Sequence, residues 1–164
     1  MGSLTGIFLG IAAIDYNELI RTNHILSRNV YSATGASHSV ASGRISFVFG
    51  INGPCISVDT ACSAALAATH SAFRAVQNDE CTAALAAGVS MMLLPGVTFS
   101  FANAGMLSAA GHCHTFDARA DGYVRAEACC SVTLCPSVRA ADIELAGSCV
   151  PVSYTHLTLP TKRI

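Results

Sequence analysis

Cys62 is the residue whose type and position could do chemistry most directly. It follows a β-compatible stretch, Cys55 to Asp59, and it opens an Ala-rich run over 61–77 that predicts a helix with Thr60 as its N-cap. A thiolate is the reactive form of cysteine, and the first turn of a helix stabilises one with unpaired N–H groups and about half a positive charge. The same N–H groups can bind an oxyanion that develops on a thioester carbonyl. Its position makes Cys62 a candidate nucleophile, although position alone favours the alternative of an ordinary buried cysteine.

The triplet His112-Cys113-His114 contains residue types that bind metals. Adjacent side chains point in different directions, however, and no second cluster completes a tetrahedral set of ligands. We therefore expect an ordinary loop at this point and no metal site.

The eight cysteines contain no CxxC pair, and hydrophobic residues make up 52% of the chain. Such a chain can build a core without disulfides, and free buried cysteines are common in intracellular proteins. We expect reduced thiols and a cytoplasmic protein.

Composition excludes several classes of protein. The 164 residues have the size of one domain, and only 12% are charged, where about 25% is usual. So much apolar surface excludes intrinsic disorder. The net charge is −1 and no basic run occurs, so nucleic-acid binding has no support. Residues 81–116 carry no charged side chain, but Pro95, Gly96 and Asn103 interrupt the run of about 20 apolar residues that a membrane span needs.

Strands and helices alternate in the pattern that positions Cys62. Short apolar runs predict strands at Gly6 to Ile11, Cys55 to Asp59, Cys81 to Met92 and Cys129 to Leu134, with a further strand starting within Ile143 to Val150. Helical patterns cover Asp15 to Leu26 and 61–77, whereas 31–43 reads as a loop leading into a short helix and 95–128 as loop. The order predicts an α/β fold with a largely parallel sheet. The 61–77 helix is apolar on nearly every face, which predicts burial all round.

The segment GPCISVDTACSAAL (53–66) resembles the nucleophile segment of β-ketoacyl synthases, the condensing enzymes of polyketide and fatty acid synthases. Three further segments are similar to that family in the same order, namely TGIFLGIAAIDYNELI (5–20), YSATGASHSVASGRISFVFG (31–50) and the stretch from AALAAGVSMM to GYVRAEAC (83–129). The resemblance covers nearly all of 5–150.

The resemblance implies an α/β, thiolase-like fold of two similar halves, each with a five-stranded sheet, in a homodimer. Cys62 matches the cysteine that takes an acyl group. The implied reaction is a decarboxylative Claisen condensation with a malonyl-type unit, which an acyl carrier protein holds on its phosphopantetheine, and no cofactor is bound directly. On this basis the chain covers most of the N-terminal half, and we expect the family's first strand, in the middle of the sheet, and most of the C-terminal half to be missing.

Some family features are absent or altered. The family's two catalytic histidines lie in His-Gly-Thr-Gly and Asn-x-Gly-His motifs, and neither motif occurs here, so no histidine is assigned a role. We therefore expect the fragment itself to be inactive. Ala126-Glu127-Ala128 stands where the family has Gly-Glu-Gly, and Ala64 stands where it has serine. Alanine in place of glycine would be strained if φ were positive there.

Four charged residues, Asp117, Asp121, Arg125 and Glu127, match a charged segment of the family. They could shape the pocket floor or orient the backbone near the nucleophile. The alternative, which we favour, is a solvated or internally paired structural loop.

The tail differs in composition from the rest. Residues 152–164, VSYTHLTLPTKRI, resemble the in-frame translation of a sequencing adapter, so we expect a partial ketosynthase domain over 1–151 and a non-native tail after it. A polyketide synthase ketosynthase is the leading interpretation. The alternatives are the equivalent domain of a fatty acid synthase, a non-catalytic condensing-enzyme partner, or a truncated product with no activity.

Overall fold

The computed structural model describes residues 3–23 and 25–136. The strand expected within Ile143 to Val150, Cys149 and the 152–164 tail lie outside the described residues. Within the described part the strands and helices, in chain order, are β1 (Thr5–Ile11), α1 (Asp15–Thr22), α2 (Ser32–Ala36), α3 (His38–Phe49), β2 (Cys55–Val58), α4 (Ala64–Gln77), β3 (Ala83–Ser90), α5 (Gly96–Asn103) and β4 (Ala128–Leu134). One 3-10 turn, Leu26–Arg28, follows α1.

The chain divides into two compact units. The first comprises residues 1–12, 33–90 and 128–164, and its described part holds all four strands with α3 and α4. The second comprises residues 13–32 and 91–127 and holds α1, the 3-10 turn and α5.

The sheet of the first unit has the order β2-β1-β3-β4. β1 pairs in parallel with β2 and with β3, whereas β4 pairs antiparallel to β3. The central strand β1 is buried over residues 6–10, as expected of the apolar run GIFLG, because a strand with neighbours on both sides and helices on its face has little contact with water. The α/β architecture and its largely parallel sheet are confirmed.

The expectation of a sheet without its middle strand is wrong. β1 and β3 are hydrogen-bonded neighbours over seven positions, from Thr5↔Ala83 to Ile11↔Val89, and β2 covers the other side of β1. Both inner strands therefore have their two backbone edges occupied. A further strand could pair only outside β2 or outside β4.

The core between sheet and helix is built from small side chains. α4 buries a stripe of alanines, Ala64, Ala68, Ala72 and Ala75, whose spacing of four, four and three residues follows one face of a helix. Ala68, Ala72 and Ala75 form one buried cluster with residues of the sheet and of the chain between α4 and β3, namely Phe8, Cys81, Ala84 and Ala86. The opposite face of α4 is open, with Leu66 and Phe73 exposed by 73% and 53%. The prediction of burial all round is thus wrong for the described chain, since the sheet covers only one side of the helix.

Two helices differ from the sequence expectation. α3 has 12 residues where a short helix was expected, and it ends at Phe49 with Gly50 as its C-cap, whose φ of 63° is left-handed. α5 lies in a region expected to be loop. None of its eight residues is buried, so the helix has no apolar stripe facing a core. Such a stripe is the pattern by which a helix is predicted from sequence. No helix within residues 3–23 and 25–136 is long and apolar enough to cross a membrane.

Candidate functional site

Cys62 lies in a tight turn that joins β2 to α4. β2 ends at Val58, and α4 begins at Ala64 with Ser63 in the N-cap position. Cys62 therefore precedes the first helical residue by two positions, and the prediction that it lies in the first turn, with Thr60 as N-cap, is wrong. The cause is Ala61, whose φ of 55° is left-handed and interrupts the helical run. Cys62 itself is exposed.

The turn is held by hydrogen bonds on both sides of Cys62. The Asp59 carboxylate accepts from the Ala61 N–H at 2.9 Å, and the Thr60 carbonyl accepts from the Ser63 hydroxyl at 2.8 Å. The Ala64 N–H donates to the Ala61 carbonyl at 3.0 Å. A left-handed alanine costs about 1–2 kcal/mol, which this network offsets. The turn thus presents an exposed thiol near the amino end of a 14-residue helix, where the helix dipole is positive.

Cys62 differs from the other six described cysteines in its place before a helix and not in its exposure. Five of these six are also exposed, but none lies at the amino end of a helix. All seven in residues 3–23 and 25–136 are free thiols. Cys81 is buried in the core, and this burial raises the pKa of its thiol, which disfavours the reactive thiolate. Cys113 accepts a hydrogen bond from the Val124 N–H at 3.1 Å and so takes part in a loop.

The His112-Cys113-His114 triplet does not form a metal centre in the structure. The two imidazole rings lie 5.8 Å apart, centroid to centroid, and the backbone N–H of His112 donates to the Ser108 hydroxyl. Among the described residues, no group of three His, Cys, Asp or Glu side chains could hold a metal ion.

The charged segment of the second unit forms hydrogen bonds and one ion pair with side chains of that same unit. Arg119 forms a 2.7 Å ion pair with Asp117, and its guanidinium holds the pKa of the Asp117 carboxyl well below the usual range. A hydrogen bond with the Ser108 side chain lowers the pKa of Asp121. Arg125 donates to the Thr98 hydroxyl at 2.5 Å and lies over the Phe101 ring at 5.4 Å, a cation–π contact that ties it to α5. These contacts are those of an internally paired loop.

Asp15 and Glu127 form a clamp on three consecutive backbone amides. Asp15, only 2% exposed, accepts from the N–H groups of Leu93 and Leu94, each at 3.1 Å. The Glu127 carboxylate accepts from the Met92 N–H at 2.7 Å. Sequence reasoning missed Asp15, because an acidic residue in the first turn of a helix ordinarily faces solvent and its partners lie 78 and 79 residues away.

The substitutions at family glycine positions cause no backbone strain. Among described residues other than glycine, φ is positive at Ala61, Asp79 and Phe116. Ala126 and Ala128 are not among them, so alanine at these two positions carries no penalty from a left-handed backbone.

Comparison with known proteins identifies the family of this chain. Residues 1–140 match the model of the family "Beta-ketoacyl synthase, N-terminal domain", and the chain belongs to that family. This confirms the resemblance drawn from the four sequence segments.

Two of its relatives are named as polyketide synthases. The chain is 48% identical over 133 residues to a mycocerosic acid synthase-like polyketide synthase of Mycolicibacterium smegmatis, covering 81% of this chain and 6% of that protein. It is 46% identical over 137 residues to polyketide synthase ThaG of Burkholderia thailandensis, covering 84% of this chain and 2% of that one.

A solved structure supports the same fold. The ketosynthase from module 6 of the bacillaene synthase of Bacillus subtilis 168 superposes with a TM-score of 0.72 and 35% identity, covering 88% of this chain and 23% of that one. The thiolase-like α/β fold is thereby confirmed. The chain spans under a quarter of each protein to which it is compared.

Proposed function

We propose that this chain is part of the ketosynthase of a polyketide synthase and that Cys62 is its nucleophile. The observation that carries the proposal is the exposed thiol on a strained turn at the amino end of α4, in a chain of the β-ketoacyl synthase family. A thiol buried as Cys81 is buried could not meet an acyl thioester.

In the proposed reaction the Cys62 thiolate attacks the thioester carbonyl of an acyl group. A bond forms between Sγ and the carbonyl carbon, the bond from that carbon to the phosphopantetheine sulfur breaks, and the phosphopantetheine of the acyl carrier protein leaves as a thiolate. A malonyl-type unit on a carrier protein then loses CO2, and the resulting enolate carbon attacks the Cys62 thioester. The new β-ketoacyl chain stays on the carrier, and Cys62 is released as thiolate. N–H groups at the start of α4 are suited to the oxyanion that forms on the carbonyl.

We favour the polyketide pathway over the fatty acid pathway because the two relatives described above are polyketide synthases. The presence of Cys62 argues against a non-catalytic condensing partner. The partner implied is the acyl carrier protein with its phosphopantetheine, and no cofactor bound directly is part of the proposal. The setting proposed is the cytoplasm.

A homodimer belongs to the same proposal, with β2 as its edge. β2 has a described neighbour on one side only, and an unpaired strand edge is a template for another chain. Large apolar side chains are exposed on β2 at Ile56 and at the end of α3, a helix that packs against β2, at Phe47, Val48 and Phe49.

Labelling of the intact synthase that contains this chain tests the nucleophile. We expect Cys62 to be acylated by a thioester donor, and to be alkylated by iodoacetamide faster than the other seven cysteines, as read by mass spectrometry of peptides. Cys62→Ala should abolish condensation. Cys62→Gln should abolish it as well while decarboxylation of the malonyl unit persists, because only the acyl-accepting sulfur has gone. An even spread of label, or condensation that survives Cys62→Ala, would count against the proposal.

A further inference from the structure

Two glycines lie side by side beneath the first turn of α4. Gly10 of β1 and Gly88 of β3 are cross-strand partners. A Cβ built on Gly10 would lie 2.5 Å from the carbonyl carbon of Ala64 and 2.5 Å from the nitrogen of Ala65. A Cβ built on Gly88 would lie 2.7 Å from the Cβ of Ala65. Ordinary contact begins at 3.4 Å. The first turn of α4 therefore occupies the space that a side chain at Gly10 or Gly88 would need.

These glycines are required by space and not by backbone conformation. Neither has a positive φ, unlike Gly50 or Gly122. Their missing side chains set the height of Ala64 and Ala65 above the sheet. With alanine at Gly88, the distance to Ala65 would have to grow from 2.7 Å to 3.4 Å, a shift of about 0.7 Å in a closely packed region that cannot absorb it cheaply.

Displacement at Ala65 reaches Cys62 through a short, hydrogen-bonded path. The Ala64 N–H donates to the Ala61 carbonyl at 3.0 Å, and the Ala67 N–H donates to the Ser63 carbonyl at 2.9 Å. Cys62 lies between these bonded residues, and the turn before it is fixed by Asp59. A shift of the first helical turn therefore moves the thiol.

We propose that Gly10 and Gly88 are positioning residues for the Cys62 thiol. By admitting the first turn of α4 onto the two central strands, they place Cys62 for attack on the thioester. The inference rests on the proposed role of Cys62 as nucleophile.

The two glycines differ in what a side chain would meet, and this difference gives the test. At Gly88 the obstacle is one atom, the Cβ of Ala65, and the next nearest atom is the Cα of Ala65 at 3.7 Å. At Gly10 the obstacles are backbone atoms of Ala64 and Ala65, which every residue has. Ala65→Gly should therefore rescue Gly88→Ala and should not rescue Gly10→Ala.

The experiment measures single-turnover acylation of position 62 in the intact synthase, at saturating acyl-pantetheine thioester. The variants are Gly88→Ala, Gly10→Ala and Ala65→Gly, with the two double variants. Gly43→Ala is the matched control, since a Cβ there meets only the Cys55 sulfur at 4.0 Å. A displacement near 1 Å can cost about 100-fold in rate, so we expect a fall of about that size in Gly88→Ala and recovery of most of it with Ala65→Gly.

A merely structural role predicts another result. The melting temperature would fall, but the rate constant per folded molecule would stay at the wild-type value in Gly88→Ala. That outcome, or a Gly88→Ala defect that Ala65→Gly does not relieve, overturns the inference while leaving Cys62 as nucleophile. Equal rescue of Gly10→Ala overturns it too. If Gly10→Ala does not fold, the inference is tested by the acylation rates of Gly88→Ala with and without Ala65→Gly. Acylation of the wild type that persists in Cys62→Ala overturns the proposed function instead, whatever the glycine variants do.

Discussion

Asp15 is a buried carboxylate whose charge is compensated by backbone donors. Burying an ionised group is costly unless hydrogen bonds replace its water, and here the N–H groups of Leu93 and Leu94 both donate to one carboxylate oxygen. The two donors precede α5, a helix with no buried residue of its own. Core packing holds α4 in place, whereas polar contacts hold α5. These contacts run from Asp15 to the residues before α5 and from Arg125 to Thr98 within it.

Replacing Asp15 by leucine should destabilise the second unit. The two amides lose their acceptor, and a donor left unpaired costs about 1–3 kcal/mol when it is fully buried. Both hydrogen bonds are part-buried here, so we expect a loss of about 1–2 kcal/mol in total. Asp15→Asn keeps an acceptor oxygen and should lose less. Urea unfolding of the intact domain measures the free energy, and hydrogen exchange should quicken at Leu93 and Leu94. Glu18→Gln, exposed in the same helical turn, is the control and should be nearly neutral. A change in Asp15→Leu of under about 0.5 kcal/mol, the size usual for surface substitutions, would contradict this account.

The positions of individual strands and helices were predicted from local sequence patterns where those patterns determine them. β1, β2, β3 and β4 fall where short apolar runs predicted strands, and the junction before α4 was located to within a few residues. The error at Cys62 arose because a left-handed Ala61 has no sequence signal comparable to that of glycine. Strand order, the helix α5 and the partners of Asp15 depend on residues distant in the chain, which periodicity cannot reveal.

The exposed edge of β2 leads to a prediction about assembly. If two copies pair along β2, the two-fold axis brings both Ile56 side chains into or near the interface, and a lysine there would set like charges close together. Ile56→Lys should raise the dimer Kd by about 100-fold or more, because juxtaposed like charges cost several kcal/mol. Light scattering of the intact synthase at micromolar concentration measures the mass.

The opposite edge of the sheet supplies the control for that experiment. Thr133 is exposed on β4, and Thr133→Lys adds the same charge on the strand farthest from β2. It should leave the dimer intact. A monomeric wild type, or dissociation by Thr133→Lys alone, would show that β2 is not the interface.

At the scale of the whole molecule, exposed apolar surface dominates the behaviour expected of the 164-residue chain. Leu66 and Phe73 on α4 are more than half exposed, as are Phe47, Val48 and Phe49 at the end of α3, and both β2 and β4 present unpaired strand edges in the described sheet. Soluble monomers seldom expose contiguous apolar patches of more than a few hundred Å². The sheet has its central strands, so we expect it to form. The exposed apolar faces are the reason why we expect the chain to associate.

Expressed alone, residues 1–164 should therefore associate and should form no ketoacyl product. Open strand edges and apolar faces favour aggregation, and the sequence contains neither histidine motif with which the family stabilises the enolate. Cys62 could still accept an acyl group slowly, since its turn and α4 lie within the described chain.

Size-exclusion chromatography with light scattering tests the predicted association, and a product assay by mass spectrometry tests the predicted lack of ketoacyl product. A monodisperse monomer with a sharp melt would contradict the first, and measurable ketoacyl product would contradict the second. Deleting residues 152–164 should change neither result, because we propose that this tail contributes nothing to the domain.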